Sequence, residues 1–353
     1  MTEDLEGIEE NLDDVSILVI GDPHLRSSQI SVGIEFCEKC IELSERLKPN
    51  IIIVLGDILD THEVLRTQPK NLAEKFILDL SKISKTFLLI GNHDYINNQQ
   101  FLTENHPFHL LKFWDKVTIV DKPILAEVGM YKFVMCPYVP LGRFIEALDT
   151  LKSKSIEWEE VDAIFAHQEI RGCKFGSPNN EEADYWNPDH PTLISGHIHI
   201  AQKVGSNVYY PGSGVQVTFA DESEKRIWLI NFSEEMNIEK YDLKIKGRIT
   251  KYIKISEVQE KVKHLIELCK SFNVRLELSG TKKEITLFKK EKCYKKLTEC
   301  ITKIIFDTIE ELEDNKIKSM FETQQDKSYL EILEELIKDK GDNVMQAFKS
   351  LNF

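Results

Sequence analysis

The sequence predicts an α/β fold in which two sheets pack face to face with helices outside, followed by a smaller α/β unit. Short apolar runs ending in glycine alternate with amphipathic stretches over the first third of the chain. From about residue 117 the strand-like runs become more frequent, and so much strand in one domain implies a second sheet. After residue 240 Lys and Arg become frequent, which indicates a change of domain.

Three runs rich in β-branched residues suit buried strands: VSILVIG (15–21), IIIVLG (51–56) and TFLLIG (86–91). Between them, residues 29–47 and 70–84 carry apolar side chains at helical spacing, which predicts two helices. This alternation predicts a parallel or mixed sheet with helical cover. Further strand-like runs are VTIV, PILAEV, YKFVMCP, VDAIFAH, TLISGH, NVYYPG and RIWLINF.

Residues 241–306 predict a small α/β capping domain. A helix is predicted over 257–270, strands over 274–280 and 284–289, and a second helix over 291–306. Residues 307–353 predict C-terminal helices, because Ser328 and Glu331 form a capping box before an apolar stripe on 329–337. That stripe could bind a partner or pack on the chain's own body. The main domain is accordingly predicted over 15–240.

The composition is that of a globular protein, with 42% apolar and 29% charged residues. No apolar run approaches the roughly 18–20 residues that span a bilayer, so we expect no membrane partner. Residues 1–14 hold seven acidic residues and no basic one, which predicts a disordered tail and not a secretion signal. Seven cysteines without such a signal indicate an intracellular location. Cys37 and Cys40 form a CxxC inside a helical pattern, where packing is the better interpretation than metal binding.

The charge is unevenly distributed along the chain. The net charge of −14 argues against a nucleic-acid partner, but residues 241–300 hold 16 Lys and Arg against 8 Asp and Glu. Such a basic segment could neutralise the phosphates of DNA. It could equally be an ordinary solvated helix face.

Polar residues with metal-binding side chains follow the strand-like runs in order. They are Asp22 and His24 in GDPH, Asp57 in LGDILD, Asn92, His93 and Asp94 in GNHD, His167 in FAHQE, and His197 and His199 in SGHIH. Any one of these could be a polar turn, as GNHD taken alone could be. Five such motifs in sequence, each after a strand, point to one site in the crevice beyond the strand ends.

The residue types suit particular metals. Aspartate, asparagine and imidazole without thiolate favour Mn²⁺, Fe²⁺, Mg²⁺ or Zn²⁺ in open sites over a structural zinc cage. Alternate residues of an extended segment point to the same side, so D-x-H and H-x-H can each supply two ligands. Seven ligands are about right for two ions that share a carboxylate, the arrangement used for in-line attack at phosphorus.

The series GDPH, GDILD, GNHD, His, GHIH resembles the calcineurin-like metallophosphoesterase superfamily over residues 17–200. The resemblance implies a two-sheet αββα sandwich with two divalent ions, Mn²⁺ first among them. It implies one metal held by Asp22, His24, Asp57 and His199, and a second held by Asp57, Asn92, His167 and His197. A hydroxide bridging the metals is implied as the nucleophile, His93 as the group that protonates the leaving oxygen, and Asp94 as the support of the His93 ring.

The flanking residues resemble one branch of that superfamily. The motif GDILDTHE lacks the arginine that Ser/Thr protein phosphatases carry in GDxxDRG. Two longer stretches instead resemble SbcD-type nuclease subunits of double-strand-break repair complexes, including viral recombination nucleases. These stretches are GDILDTHEVLRTQPKNLAEKFI and YYPGSGVQVTFADESEKRIWLINF. Some relatives carry a histidine where this chain has Asp60, so Asp60 receives no catalytic role. The resemblance implies a metal-dependent DNA exonuclease and endonuclease acting in DNA repair and recombination, a homodimer that binds an SbcC-type coiled-coil ATPase through its C-terminal helices.

Two other functions remain open at this point. A phosphodiesterase or phosphatase for a small molecule or nucleotide would use the same metals and would have no need of the basic segment. A scaffold without activity would be expected to lose ligands, and this chain retains all seven together with His93.

Overall fold

The computed structural model describes residues 7–8, 13–174 and 183–309. The chain divides into a larger unit, Met1–Ile249 with Ser271–Asn273, and a smaller unit, Thr250–Lys270 with Val274–Phe353. Within the described residues, no helix is sufficiently long and apolar to span a bilayer.

The larger unit contains two large mixed sheets in its described part. The first has six strands in the order β13-β12-β2-β3-β4-β5, and the second has seven in the order β1-β6-β7-β8-β9-β11-β10. The strands of the first sheet are β2 (Val15–Ile20), β3 (Ile51–Val54), β4 (Lys85–Leu89), β5 (Val117–Val120), β12 (Ile227–Phe232) and β13 (Asn237–Tyr241). Those of the second are β1 (Gly7–Ile8), β6 (Ile124–Val128), β7 (Tyr131–Met135), β8 (Ala163–Ala166), β9 (Thr192–Ser195), β10 (Gln202–Val204) and β11 (Val208–Tyr210).

The two sheets pack face to face through one apolar core. Val19 and Phe87 from the first sheet share a buried cluster with Phe133, Phe165 and Ile194 from the second. A strand that is buried on both faces needs apolar side chains at every position. Residues 51–54 of β3 meet this need with four β-branched residues in succession. Two sheets held by a common apolar layer confirm the predicted sandwich.

Helices cover the outer faces of both sheets. α1 (Ile30–Leu47) and α2 (Thr67–Ile83) bury Phe36 and Phe76 against the first sheet. α3 (Phe144–Asp149) packs Phe144 with Trp158 in a cluster outside the second sheet. Cys37 and Cys40 are buried in the first of these clusters, so the prediction that the CxxC serves packing is confirmed.

The smaller unit contains most of a three-stranded sheet ordered β14-β15-β16, together with three helices. The elements are β14 (Gly247–Lys254), α4 (Val258–Ser271), β15 (Phe272–Gly280), α5 (Lys282–Phe288), α6 (Lys292–Cys300) and β16 (Lys303–Thr308). β15 pairs in parallel with β16 from Arg275–Lys303 to Gly280–Thr308.

Two predictions in this region are wrong. The predicted strand over 284–289 is helix α5, because the Thr281 side chain accepts the Glu284 N–H and Glu284 accepts the Thr281 N–H, which caps a helix. The predicted helix over 291–306 ends at Cys300, and its last residues form β16. The β-branched pair Ile304 and Ile305 extends beside β15, where pairing outweighs the helical spacing.

Several predictions concern residues that the structure does not describe. Most of the predicted tail 1–14 and residues 310–353, which include the predicted partner-binding helices, lie outside the described residues. Within the predicted tail the structure differs from a disordered segment at Gly7 and Ile8, which pair in parallel with Glu127 and Val128 of β6.

Candidate metal centre

The strand order brings the predicted ligands to one edge of the sandwich. β2, β3 and β4 are parallel neighbours in the first sheet, and β8 and β9 are parallel neighbours in the second. Parallel neighbours end at the same edge, where ligand sites of α/β sheets usually lie. The residues that follow these ends are Asp22, His24, Asp57, Asn92, His167, His197 and His199.

One half of the site is formed around His24 and His199. Nε2 of His24 lies 2.9 Å from Nε2 of His199 and 3.5 Å from Oδ2 of Asp57. Two imidazole nitrogens aimed at each other beside a carboxylate are an arrangement that a shared cation stabilises.

The other half of the site is formed around Asn92. Its Oδ1 lies 3.1 Å from Nε2 of His167 and 2.9 Å from Nδ1 of His197, while its Nδ2 donates to Asn98. Nε2 of His167 is also 3.4 Å from Oδ2 of Asp57. The same Asp57 oxygen therefore faces both halves, as a bridging ligand must.

Asp22 supplies a further buried carboxylate to the site. Its Oδ1 accepts the backbone N–H of His197 at 3.1 Å, and its Oδ2 is buried without a hydrogen-bond partner in the structure. A buried carboxylate oxygen is unfavourable unless it is paired or binds a metal. The structure thus brings all seven predicted ligands together, and their oxygen and imidazole donors fit two divalent ions.

Each of the four histidines turns its second ring nitrogen toward an oxygen. Nδ1 of His167 lies 2.7 Å from the Leu55 carbonyl oxygen, and Nδ1 of His24 lies 3.5 Å from Oδ1 of Asp60. The His167 contact has hydrogen-bond length and sets the tautomer and orientation of that ring, as such oxygens do for metal-binding histidines, whereas Nδ1 of His24 forms no hydrogen bond in the structure.

For the remaining two rings the oxygens belong to residues that the sequence analysis missed. Nε2 of His197 is 3.8 Å from Oε2 of Glu169, and Nδ1 of His199 is 3.9 Å from Oδ2 of Asp221. Glu169 stands two residues after His167 in FAHQE, so its sequence position offered a signal. Asp221 lies 22 residues beyond His199, and only the folded chain brings the two together.

The backbone of the site is strained. Asp22, His24, Asp57 and His197 all have positive φ, at 29°, 44°, 47° and 76°, among ten such non-glycine residues in the described ranges. Strained residues of this kind persist where the surrounding packing holds them, and they concentrate at functional sites. Gly91 is required beside them, because a Cβ there would lie 2.2 Å from Oδ1 of Asp57.

His93 lies next to the shared carboxylate. Its backbone N–H donates to Oδ1 of Asp57 at 2.8 Å, and its ring stacks on His62 with centroids 4.6 Å apart. Nδ1 lies 2.8 Å from the Asp60 carbonyl oxygen. Because a carbonyl can only accept, Nδ1 carries the proton and Nε2 is left to exchange one. Burial lowers the pKa of His93, although the charge of Asp57 opposes that shift.

The structure corrects the predicted contact of Asp94. Its carboxylate accepts backbone N–H groups from Gly91 and Leu59 at 3.0 Å and from Ile58 at 3.4 Å. The His93 ring is supported by the Asp60 carbonyl instead. Asp94 therefore joins the loops after β3 and β4, which carry Asp57 and Asn92. Burial and the nearby Asp57 raise the pKa of Asp94 to about 7, although these N–H donors favour its ionised form.

The charges of the site favour a cation. Burial would lower the pKa of His167, but Asp57 and Asp22 outweigh it and raise the pKa to about 9. The pKa of Asp57 is held well below its usual range by His167 and His24, against the effect of its own burial. Burial and the neighbouring His24 lower the pKa of His199 to about 4. The carboxylates thus hold positive charge at His167, and a divalent ion would replace that proton.

The sequence of this domain matches a known family. Residues 15–201 match the family described as "Calcineurin-like phosphoesterase". The chain belongs to the calcineurin-like phosphoesterase family. The family is one of metal-dependent phosphoester hydrolases, and the donor set of this chain fits the divalent metal ions that the family fold implies.

Two viral relatives support the assignment over more of the chain. "Putative phosphoesterase 078R" of Invertebrate iridescent virus 3 is 37% identical over 340 residues, covering 96% of each chain. "Putative phosphoesterase 244L" of Invertebrate iridescent virus 6 is 37% identical over 286 residues, covering 80% of this chain and 99% of the relative. Among solved structures, the Plasmodium inner-membrane-complex anchor GAP50 matches at 14% identity with a TM-score of 0.42, covering 65% of this chain and 85% of that chain.

The structure predicts that Asp94 stabilises the fold through the amides it accepts. Asp94→Ala leaves buried N–H groups of two loops without an acceptor, and we expect the free energy of unfolding to fall by about 3 kcal/mol. Urea denaturation in EDTA measures this. Asp115→Ala removes an exposed carboxylate and should change stability by less than about 0.5 kcal/mol. An Asp94 variant as stable as this control would contradict the role.

Proposed function

We propose that the protein is a dimetal-dependent DNA nuclease of the SbcD type, an exonuclease and endonuclease that hydrolyses phosphodiester bonds in DNA repair or recombination. The observation that carries the proposal is that the two halves of the seven-residue site meet at one buried carboxylate, Asp57, whose Oδ2 faces His24 in one half and His167 in the other. In this proposal Asp22, His24, Asp57 and His199 hold one ion, and Asp57, Asn92, His167 and His197 hold the other. Mn²⁺ is the proposed ion, since carboxylate, amide and imidazole donors without thiolate suit it.

The chemistry that two bound divalent ions supply is activation of a water molecule and stabilisation of charge on the phosphate oxygens. The residues of the chain then transfer a proton to the leaving oxygen and hold the proton donor in position. His93 holds a proton on Nδ1 against the Asp60 carbonyl, so a second proton on Nε2 can pass to the leaving oxygen as its bond to phosphorus breaks. Asp57 fixes the backbone of His93 through its Oδ1, and Asp94 holds the loop that carries His93.

A phosphate-binding cavity beside the site supports a polymeric substrate. Its volume is about 420 Å³, and it is lined by Arg26, Arg66, Ser27 and Ser28 next to Asp60. Guanidinium and hydroxyl groups bind phosphate oxygens. A substrate with a single phosphoester would not need this second site, whereas a DNA strand has a neighbouring phosphate that it would bind.

The smaller unit supplies a basic surface of its own. Among the described residues, seven exposed lysines on and around α5 and α6 form no ion pair. They are Lys282, Lys283, Lys289, Lys290, Lys292, Lys295 and Lys296. Unpaired lysines clustered in 15 residues bind a phosphate backbone without regard to base sequence. This feature favours DNA over a small-molecule ester.

We expect the protein to cut DNA only when divalent metal is present. Purified protein should shorten end-labelled linear duplex DNA with Mn²⁺ and leave it intact in EDTA. Asp57→Asn should lose cleavage and weaken the binding of both metals, because the bridge is lost. His93→Ala should keep metal affinity in calorimetry and lose cleavage about 100-fold or more. Intact DNA with the unmodified protein would favour the small-molecule phosphodiesterase, and full activity of His93→Ala would exclude it as the proton donor.

We expect the exposed lysines on and around α5 and α6 to bind the phosphates of DNA. Lys289→Ala with Lys290→Ala should weaken DNA binding and reduce the slope of log affinity against log salt by about 1 to 2, because two phosphate contacts are lost. Lys116→Ala with Lys122→Ala removes two exposed lysines from the larger unit and is the matched control. Fluorescence anisotropy with labelled DNA measures both. Equal effects of the two pairs would contradict a DNA surface on the smaller unit.

The proposal extends to partners. We propose a homodimer that acts inside the cell with an SbcC-type ATPase bound to residues 328–337. Removing residues 328–353 should abolish capture by such an ATPase while DNA cleavage by the isolated protein persists. Retained capture would place the ATPase contact elsewhere.

A further inference from the structure

A second cavity opens beside His93. It has a volume of about 200 Å³ and is lined by three segments of the larger unit: the loop after β3, the loop after β4, and residues 105–107. We call it the His93 cavity. Its position matters because a proton donor must lie next to the leaving oxygen, so whatever is attached to that oxygen extends past His93.

The lining of the His93 cavity is apolar and acidic. Leu59, Tyr95 and Pro107 form its walls, and Leu65 and Ile96 are about half exposed at 51% and 46%. None of its lining residues, all in the described part of the chain, is Lys or Arg, and Glu63 and Asp94 add carboxylates. The Asp94 carboxylate is buried against backbone N–H groups, so the lining offers a phosphate no Lys or Arg, whereas an uncharged planar group can pack on Leu59, Tyr95 and Pro107.

The His93 cavity and the phosphate-binding cavity meet at residues 59–61. Leu59 and Thr61 line both, but Arg26 and Arg66 line only the phosphate-binding cavity. Arg26 is paired with Asp60 at 3.4 Å, so Arg66 is the guanidinium that the phosphate-binding cavity offers a phosphate, and the adjoining cavity offers apolar walls. A nucleotide presents these two chemistries side by side, as a charged backbone and an uncharged base.

The wall formed by residues 105–107 is held in place. Nε2 of His106 lies 3.1 Å from Oδ2 of Asp121, and the Phe108 N–H donates to Nδ1 of the same ring. Nζ of Lys112 lies 2.5 Å from Oδ2 of Asp121 and 3.1 Å from Oε1 of Glu104, so this lysine links the two carboxylates. This wall is therefore in place before a ligand binds, and binding need not order it.

We propose that the His93 cavity binds the nucleobase of the nucleotide that carries the leaving oxygen, turned out of its stack. The proposal rests on the nuclease function and on His93 as the proton donor. The His93 cavity, with a volume of about 200 Å³, has room for one planar ring system, and a base stacked in a duplex must turn out of its stack to enter it. The strand at the cleaved bond must then be single or locally opened.

An abasic substrate tests this proposal. A single-stranded oligodeoxynucleotide with one internal tetrahydrofuran residue, and the same strand with all bases, are cut by the full-length protein in Mn²⁺ and resolved to single nucleotides. Cleavage should fall about tenfold or more at the one linkage whose leaving oxygen belongs to the abasic nucleotide. The linkage on its other side should be cut at the rate of the intact strand.

Two exposed apolar residues offer a matched pair of variants. Ile96→Glu places a charge at the mouth of the cavity, and Leu110→Glu makes the same change at a residue that does not line it. Ile96→Glu should slow cleavage of the intact strand about tenfold and bring the two flanking linkages to equal rates. Leu110→Glu should keep the one-sided effect.

The cleavage pattern distinguishes failure of the proposed base site from failure of the proposed nuclease function. Cleavage of both flanking linkages at the intact rate, or an equal loss at both, would overturn the base site while the nuclease stands. An intact strand that the unmodified protein leaves uncut would overturn the proposed function itself.

Discussion

The buried carboxylate of Asp57 is the constraint on which the site depends. It is 1% exposed, and an ionised group so far from water must be compensated by donors or cations. One oxygen accepts the His93 N–H, and the other faces His24 and His167. The surrounding chain therefore converges on Asp57 from both sheets.

The sandwich makes that convergence possible. β2, β3 and β4 run parallel in one sheet, and β8 and β9 run parallel in the other, so five loops leave the same edge. The apolar layer between the sheets fixes their separation, and with it the distance between Asn92 on one sheet and His167 on the other. The same packing holds the four left-handed residues of the site, which short loops alone would not retain.

Acidic and basic residues are concentrated in different regions of the chain. The acidic groups at the strand ends require cations, whereas exposed lysines without ion-pair partners lie on α5 and α6 among the described residues. The net charge of −14 is therefore the sum of an acidic region and a basic region. Arg26 and Arg66 lie beside the site, whereas the residues that line the His93 cavity include no Lys or Arg.

The sequence by itself determined most of the strands, the two long helices and the seven donors that follow strand ends, because each depends on local pattern, but it did not indicate β1, β10, β13 or β14. Apolar runs that end at glycine form buried strands, and parallel strand ends place Asp22, Asp57 and Asn92 at one edge. The local signals failed at α5 and β16, where a helix cap and pairing with β15 decided the conformation.

Only the tertiary structure decided which groups touch across the site. Asp94 accepts amides from the neighbouring loop and leaves the His93 ring to the Asp60 carbonyl, while Asp221 reaches His199 from 22 residues away. These contacts join segments that are distant in the chain, and their geometry is set by sheet packing and strained loops. No periodicity or motif spacing records such distances, which is why they could not be predicted.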